Sequence, residues 1–361
     1  MNRFRAWFWI AFGLSWLLLC GQSVHAENRD AGLPDGMARL AEAVDEYFKK
    51  EGHDKVVVLG SFTSQGGDGN TQLRLLLQEN LKKAGFEIKA RTKFSISGRF
   101  LKEFRSDGVS DAVALKVKAE IRDSESDNVV QAIAIPIFGD QAVAILGPTA
   151  DLPTSGPKGE EPQRQKNLND SFDKPQVTIV GSETRASSSS PFGIEILVGR
   201  NSRKPNSADG QAFVALSKGE EYIVRFHNHA TFEAAVSLTI DGLTMFAFSE
   251  EGNFGSQVLV PAGGSIDIPG WYINKERSDA FEITTFSKGA AAIKGVTGSV
   301  GVITASFSAA WDPKSNPPAD ELTTKSADSA TGKGRSIGKR YEVVQRVVGR
   351  VRAFVSVRYN R

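Results

Sequence analysis

From residue 176 to the C-terminus the chain consists of short runs rich in Val, Ile, Phe and Thr, closed by Gly, Pro or Asn. "QVTIVG" (176–181), "FGIEILVG" (192–199), "EYIVRFHN" (221–228), "EAAVSLTIDG" (233–242) and "GVITASFSAAW" (301–311) are examples. "YEVVQRVV" (341–348) and "AFVSVRY" (353–359) close the chain. Such runs alternate apolar and polar residues with the period of a half-buried strand. Many of them between turn residues imply two packed sheets or a barrel. The fold class expected is therefore an α/β N-terminal domain followed by an all-β sandwich domain over 176–361, with a long loop at 312–335.

Two of the four histidines lie in one of these runs, spaced His-x-His in "RFHNHATFE" (225–233). Alternation places Tyr222, Val224 and Phe226 on one strand face and Arg225 and His227 on the other, joined by His229. If a hairpin follows, Glu233 sits on the same solvent face. His227, His229 and Glu233 then form a candidate metal site for zinc or iron. The pattern resembles the cupin signature, but that signature needs a further histidine on a later strand. The remaining ones, His25 and His53, fall in the leader and in the first domain. The plain alternative is a pair of exposed hairpin histidines, and no cofactor is assigned.

Residues 1–26 read as a secretory signal: Arg3 and Arg5, the apolar run 6–19, then Val24 and Ala26 at the small-residue cleavage positions. Membrane anchoring would require an uncleaved segment or lipidation of Cys20, and Leu19 is larger than a lipobox residue before such a cysteine. Cleavage leaves a chain without cysteine, which excludes thiol catalysis and disulfides. Of 44 basic and 42 acidic residues the signal removes Arg3 and Arg5, leaving zero formal charge. No general attraction to nucleic acid or to an anionic membrane follows. The basic C-terminal residues, Arg346 to Arg361, read as a solvated sheet face.

Residues 36–148 form the α/β domain. Leu40, Ala43, Val44 and Phe48 mark a helix over 37–52, and Leu73, Leu77 and Leu81 another over 71–85 with Thr71 as its cap. "KVVVLGSF" (55–62) and "FEIKAR" (86–91) read as strands, 95–104 as a short helix, 112–123 and 128–139 as a hairpin, and 141–147 as a strand. Gly66, Gly67 and Gly69 lie between strand and helix. They lack the Lys-Ser/Thr pair and the third-glycine spacing of a nucleotide site. The arrangement over roughly 37–145 resembles bacterial envelope proteins of the curli-secretion-lipoprotein type and the penicillin-binding-protein activators. That resemblance implies a fold, a compartment and a binding or assembly role, but no functional residue.

The stretch 149–175, polar and with Pro148 five times interrupted by proline, is expected to be an interdomain linker. Residues 182–191 look like a second loose patch. The region 192–361 resembles a module of uncharacterised secreted bacterial proteins through Asn228, Asp241, Gly242, Pro261, Gly270, Trp271 and Phe281. Trp271 is expected as a core anchor or, with Tyr272, as a binding surface. No Gly-x-Ser-x-Gly elbow occurs. The function expected is noncatalytic binding or assembly in the bacterial envelope, secreted or periplasmic, with an envelope protein or cell-wall component as partner. The alternative is a metal-dependent enzyme using His227, His229 and Glu233.

Overall fold

A computed structural model describes residues 17–23, 32–64, 70–106, 111–154, 160–250, 257–283, 301–321, 328–333 and 341–359. The Gly66–Gly69 loop, the cleavage position after Ala26, Lys158 and the Cys20 side chain lie outside this description. Among the described residues no helix is long and apolar enough to cross a membrane.

The N-terminal unit opens with α1 (Leu33–Glu51), whose buried Met37, Leu40, Ala41, Val44 and Phe48 recur at helical spacing. Gly52 stops it in the left-handed conformation, φ 66°, its N–H bonded to the carbonyls of Lys49 and Phe48. After β1 (Val56–Thr63), α2 (Thr71–Lys83) is capped by Asn70 rather than Thr71: the Asn70 side chain accepts from the Leu73 N–H at 3.0 Å. The strands β2 (Glu87–Ile88), β3 (Phe94–Ser106), β4 (Asp111–Asp123) and β5 (Val129–Ile137) complete a sheet of order β2-β1-β3-β4-β5. β1 runs parallel to β2 and β3, and β3-β4-β5 is an antiparallel meander.

Two local expectations are corrected here. The helix expected over 95–104 is part of β3. Phe94, Ile96 and Phe100 are buried at even spacing, and β3 pairs with β4 from Phe94↔Asp123 to Ser106↔Asp111. The strand expected over 141–147 is the helix α3 (Asp140–Ile145), bracketed by positive-φ Gly139 and Gly147. A short apolar run carries no decisive period, and packing chose the helix.

The segment expected as a linker contains the helix α4 (Glu160–Asp173). Leu168 is buried and Phe172 packs beside it. Arg164, also buried, donates to the carbonyls of Leu152 and Pro153 at 3.3 and 2.9 Å. Gln165 accepts from the Val113 N–H of β4, and Lys102 of β3 bonds Asn169 and Asp173. The helix was hidden because its apolar face is only two residues wide.

The remainder is a β-sandwich. One sheet places β6 (Thr178–Val180), β7 (Glu183–Arg185), β8 (Phe192–Val198) and β10 (Glu221–Asn228) side by side. β10 continues to β15 (Arg277–Glu282) and β14 (Gly270–Asn274), and β13 (Ser265–Ile268) also pairs with β10. The other sheet runs β9 (Gln211–Val214), β17 (Val347–Tyr359), β16 (Val302–Trp311), β11 (Glu233–Ile240), β12 (Gln257–Val260). Beyond β12 it takes in Leu17–Ser23, Asp328–Lys333 and Tyr341–Gln345. Leu17–Ser23 falls in the expected signal segment, so cleavage after Ala26 would remove that strand. Between the sheets Ile194, Val224, Phe226, Val236, Leu238, Phe307 and Val355 are fully or almost fully buried. Phe192 stacks on Phe307 at 5.1 Å between centroids. Burying one such side chain contributes about 1.5–3 kcal/mol.

β10 and β11 do not form a hairpin. They lie in opposite sheets, and residues 229–232 cross between them. Asn228, fully buried, holds the corner: its amide donates to the carbonyls of Phe232, Val260 and Pro261, and its oxygen accepts from the Ala230 N–H. The N-terminal unit packs on the outer face of the β16–β17 sheet through Val113, Val143, Leu168, Val351 and Phe354. Arg350 of β17 is paired with Glu161 of α4.

Candidate metal centre

The crossover decides which residues meet. His227, near the end of β10, and His229, just after it, project from the outer face of the β8–β10 sheet. Their rings are parallel within 3° and 5.8 Å apart between centroids. Glu233 begins β11 in the opposite sheet and binds Arg346, with Nε to Oε2 at 2.6 Å. The outer faces of a sandwich point away from each other, so Glu233 does not join the histidines.

The carboxylate beside them is Glu183, from β7. It belongs to a stretch read as loose because its strand is only three residues long. β8 lies between β7 and β10, with Gly193 opposite both Arg185 and His227. A Cβ at Gly193 would stand 2.0 Å from Oε1 of Glu183. The missing side chain therefore leaves the channel through which Glu183 reaches His229. Ligand atoms of Glu183, His227 and His229 lie within 4.8 Å of one another.

Each donor is oriented by a neighbour. Nε2 of His227 lies 3.0 Å from Oε2 of Glu195, and the other oxygen of that carboxylate, Oε1, accepts from the Ser182 hydroxyl. A carboxylate that fixes one ring nitrogen leaves the other for a ligand, the usual support of a metal-bound histidine. Arg225 approaches Glu195 at 3.6 Å but is held chiefly by Asp267, at 2.6 and 3.0 Å. Nε2 of His229 lies 3.0 and 3.1 Å from the two Glu183 oxygens. Arg185 donates to both of those oxygens, at 2.9 and 2.8 Å, and its Nη2 lies 2.8 Å from Nε2 of His229.

One imidazole nitrogen cannot serve a carboxylate, which needs its proton, and a guanidinium, which needs its lone pair. With the lone pair on Nε2, His229 and Glu183 both point acceptors at one positive group. Arg185 fills the role a metal ion would fill, so the donor set fits a cation. Burial pushes the Glu183 carboxyl upward. The carboxyl is nonetheless held below the usual carboxylate range, first by the hydrogen bonds from Arg185. Glu195 is held low in the same way, with burial opposed by Ser182, Ser202 and His227. Both carboxylates are thus ionised at neutral pH, as ligation and ligand support require.

Of the expected aromatic surface, Tyr272 is fully buried in the sandwich core and offers no surface. Trp271 is partly buried, edge-to-face with Phe281 at 5.1 Å and with Phe248 at 5.3 Å. In comparisons with protein-family models, curated proteins and solved structures, nothing matches the chain.

Proposed function

We propose that the chain is an exported, metal-dependent enzyme whose sandwich binds a transition-metal ion through Glu183, His227 and His229. The observation that supports this most is the convergence of the Glu183 carboxylate and the His229 nitrogen on one cation, now the Arg185 guanidinium. Two imidazoles and one carboxylate are a donor set for zinc or non-haem iron, with positions left over for water or substrate. When bound, such an ion supplies Lewis-acid chemistry. The chain's own part is to hold the donors: Gly193 admits Glu183, Glu195 orients His227, and Arg185 moves aside.

The second reading is noncatalytic binding or assembly in the envelope. It is favoured by the openness of the site: the His229 side chain is 43% exposed on a sheet face. An envelope protein or cell-wall component that presents a carboxylate or imidazole would then complete the ion's coordination.

Zinc titration calorimetry on untagged protein tests the shared premise. The reading expects about one equivalent bound, affinity at least ten-fold weaker in Glu183→Gln and His227→Ala, and no change in Glu233→Gln. A wild type that binds no zinc, or a Glu183→Gln variant that binds as well as wild type, ends it. Retention of an envelope partner on the immobilised chain, abolished by chelator, would favour the second reading over the enzyme.

A further inference from the structure

The outer face of the other sheet carries an independent site. Where the N-terminal unit meets β11 and β16 there is a cavity of about 310 Å³, near the lower end of the range for small-molecule sites. Ser237 of β11 stands opposite Ser306 of β16, and Ser308 follows two residues along on the same face. Asp140, the first residue of α3, lines the cavity with Leu33 and Phe138 from the N-terminal unit.

These polar groups lack protein partners. Ser306 and Ser308 are 8% and 2% exposed. Among the described residues no hydrogen bond reaches the side chains of Ser237, Ser306, Ser308 or Asp140. Ser237 is half-buried, and the three hydroxyls open on one space without a protein partner, where a bound polar group or water can satisfy them.

Among the described residues Asp140 is the single charged one lining the cavity. Asp140 itself is exposed toward that space, with Arg164 and Arg350 nearby. Arg350 is engaged by Glu161 and Arg164 by main-chain carbonyls. The carboxyl thus lacks a full counter-charge, and a lone carboxylate among hydroxyls is too few anionic oxygens for a calcium site.

We propose that this cavity binds a small organic amine bearing hydroxyl groups, its ammonium on Asp140 and its hydroxyls on Ser237, Ser306 and Ser308. Phe138 supplies apolar contact for its carbon frame. Because the walls come from both units, the ligand bridges the N-terminal unit and the sandwich. The proposal is independent of the metal centre, which lies on the other sheet.

The test is calorimetry of the full chain with glucosamine and putrescine, each against its neutral counterpart, glucose and 1,4-butanediol. Glucosamine is expected to bind at least ten-fold more tightly than glucose. Asp140→Asn, which keeps the side-chain shape, is expected to weaken glucosamine at least ten-fold. Ser306→Leu, which fills the space, is expected to abolish binding, and Ser237→Val covers the case in which that variant does not fold. Failure of both amines to bind at millimolar concentration would overturn the proposal, as would equal affinity for glucose or unchanged affinity in Asp140→Asn. Chelator is expected to leave amine binding untouched, which separates this result from the fate of the metal reading.

Discussion

Glu183 lies across the α-carbon of Gly193 to reach His229: its Oε1 is 3.0 Å from Nε2, where a Cβ on Gly193 would stand 2.0 Å from that same oxygen. That Cβ would also stand 2.7 Å from Cδ and Cγ of Glu183, the outer part of a flexible side chain, so Gly193→Ala is expected to fold with Glu183 turned away. Zinc affinity should fall at least ten-fold with a melting temperature close to wild type. Unchanged affinity would show that Glu183 is not a ligand.

Arg185 occupies the position proposed for the metal ion. Arg185→Gln removes the competing charge and is expected to raise zinc affinity several-fold in a competition titration. Weaker binding would mean that Arg185 holds the donors in place rather than displacing the ion.

Much of the sandwich was legible because strand alternation is a strong signal: 221–228 and 233–240 form strands, and His227 lies on the face opposite Phe226. Alternation cannot say whether two successive strands pair or part. The crossover held by Asn228 sent Glu233 to the far sheet, and Asn228 stood out in the sequence without showing that role. Glu183 was illegible for a different reason. It lies 46 residues before His229, and only the order β7-β8-β10, with Gly193 between, brings it near. α3 and α4 were obscured by length and by a narrow apolar face.

Arg352 links the closing strand to residues 320 and 321. It donates to Asp320 at 2.5 and 3.0 Å and to Glu321 at 2.6 Å, and it lies 4.6 Å from the Phe232 ring centroid. The Arg352 and Glu321 side chains are 8% and 1% exposed. Arg352→Ala is expected to cost about 3–5 kcal/mol in denaturant unfolding, because Glu321 keeps a buried, unpaired charge. A cost under about 1 kcal/mol would contradict that account.

The same clamp predicts an acid dependence. The hydrogen bonds from Arg352 hold the Asp320 carboxyl below the usual range, against the effect of burial. A carboxyl depressed in the folded state contributes stability above its unfolded pKa, about 3.9, and loses it as pH falls through the lower folded value. Asp320→Asn should therefore be less stable than wild type at pH 7, with the gap closing below about pH 4. A gap that stays constant with pH would rule this out.

Packing of α4 carries a proteolytic consequence. Arg164 is 5% exposed and bonded to two carbonyls, so trypsin is expected to leave the 164–165 bond intact while the chain is folded. Early cleavage after Arg164, read by mass spectrometry, would contradict the packed helix.

X-ray absorption at the zinc edge of the loaded protein tests the shared ion most directly. The expected spectrum shows two imidazole nitrogens and one carboxylate oxygen at about 2.0–2.2 Å, with imidazole scattering reduced in His227→Ala and the oxygen shell altered in Glu183→Gln. A hydrated ion with no imidazole scattering, or a spectrum indifferent to both substitutions, would contradict the assignment of Glu183, His227 and His229 to one metal ion.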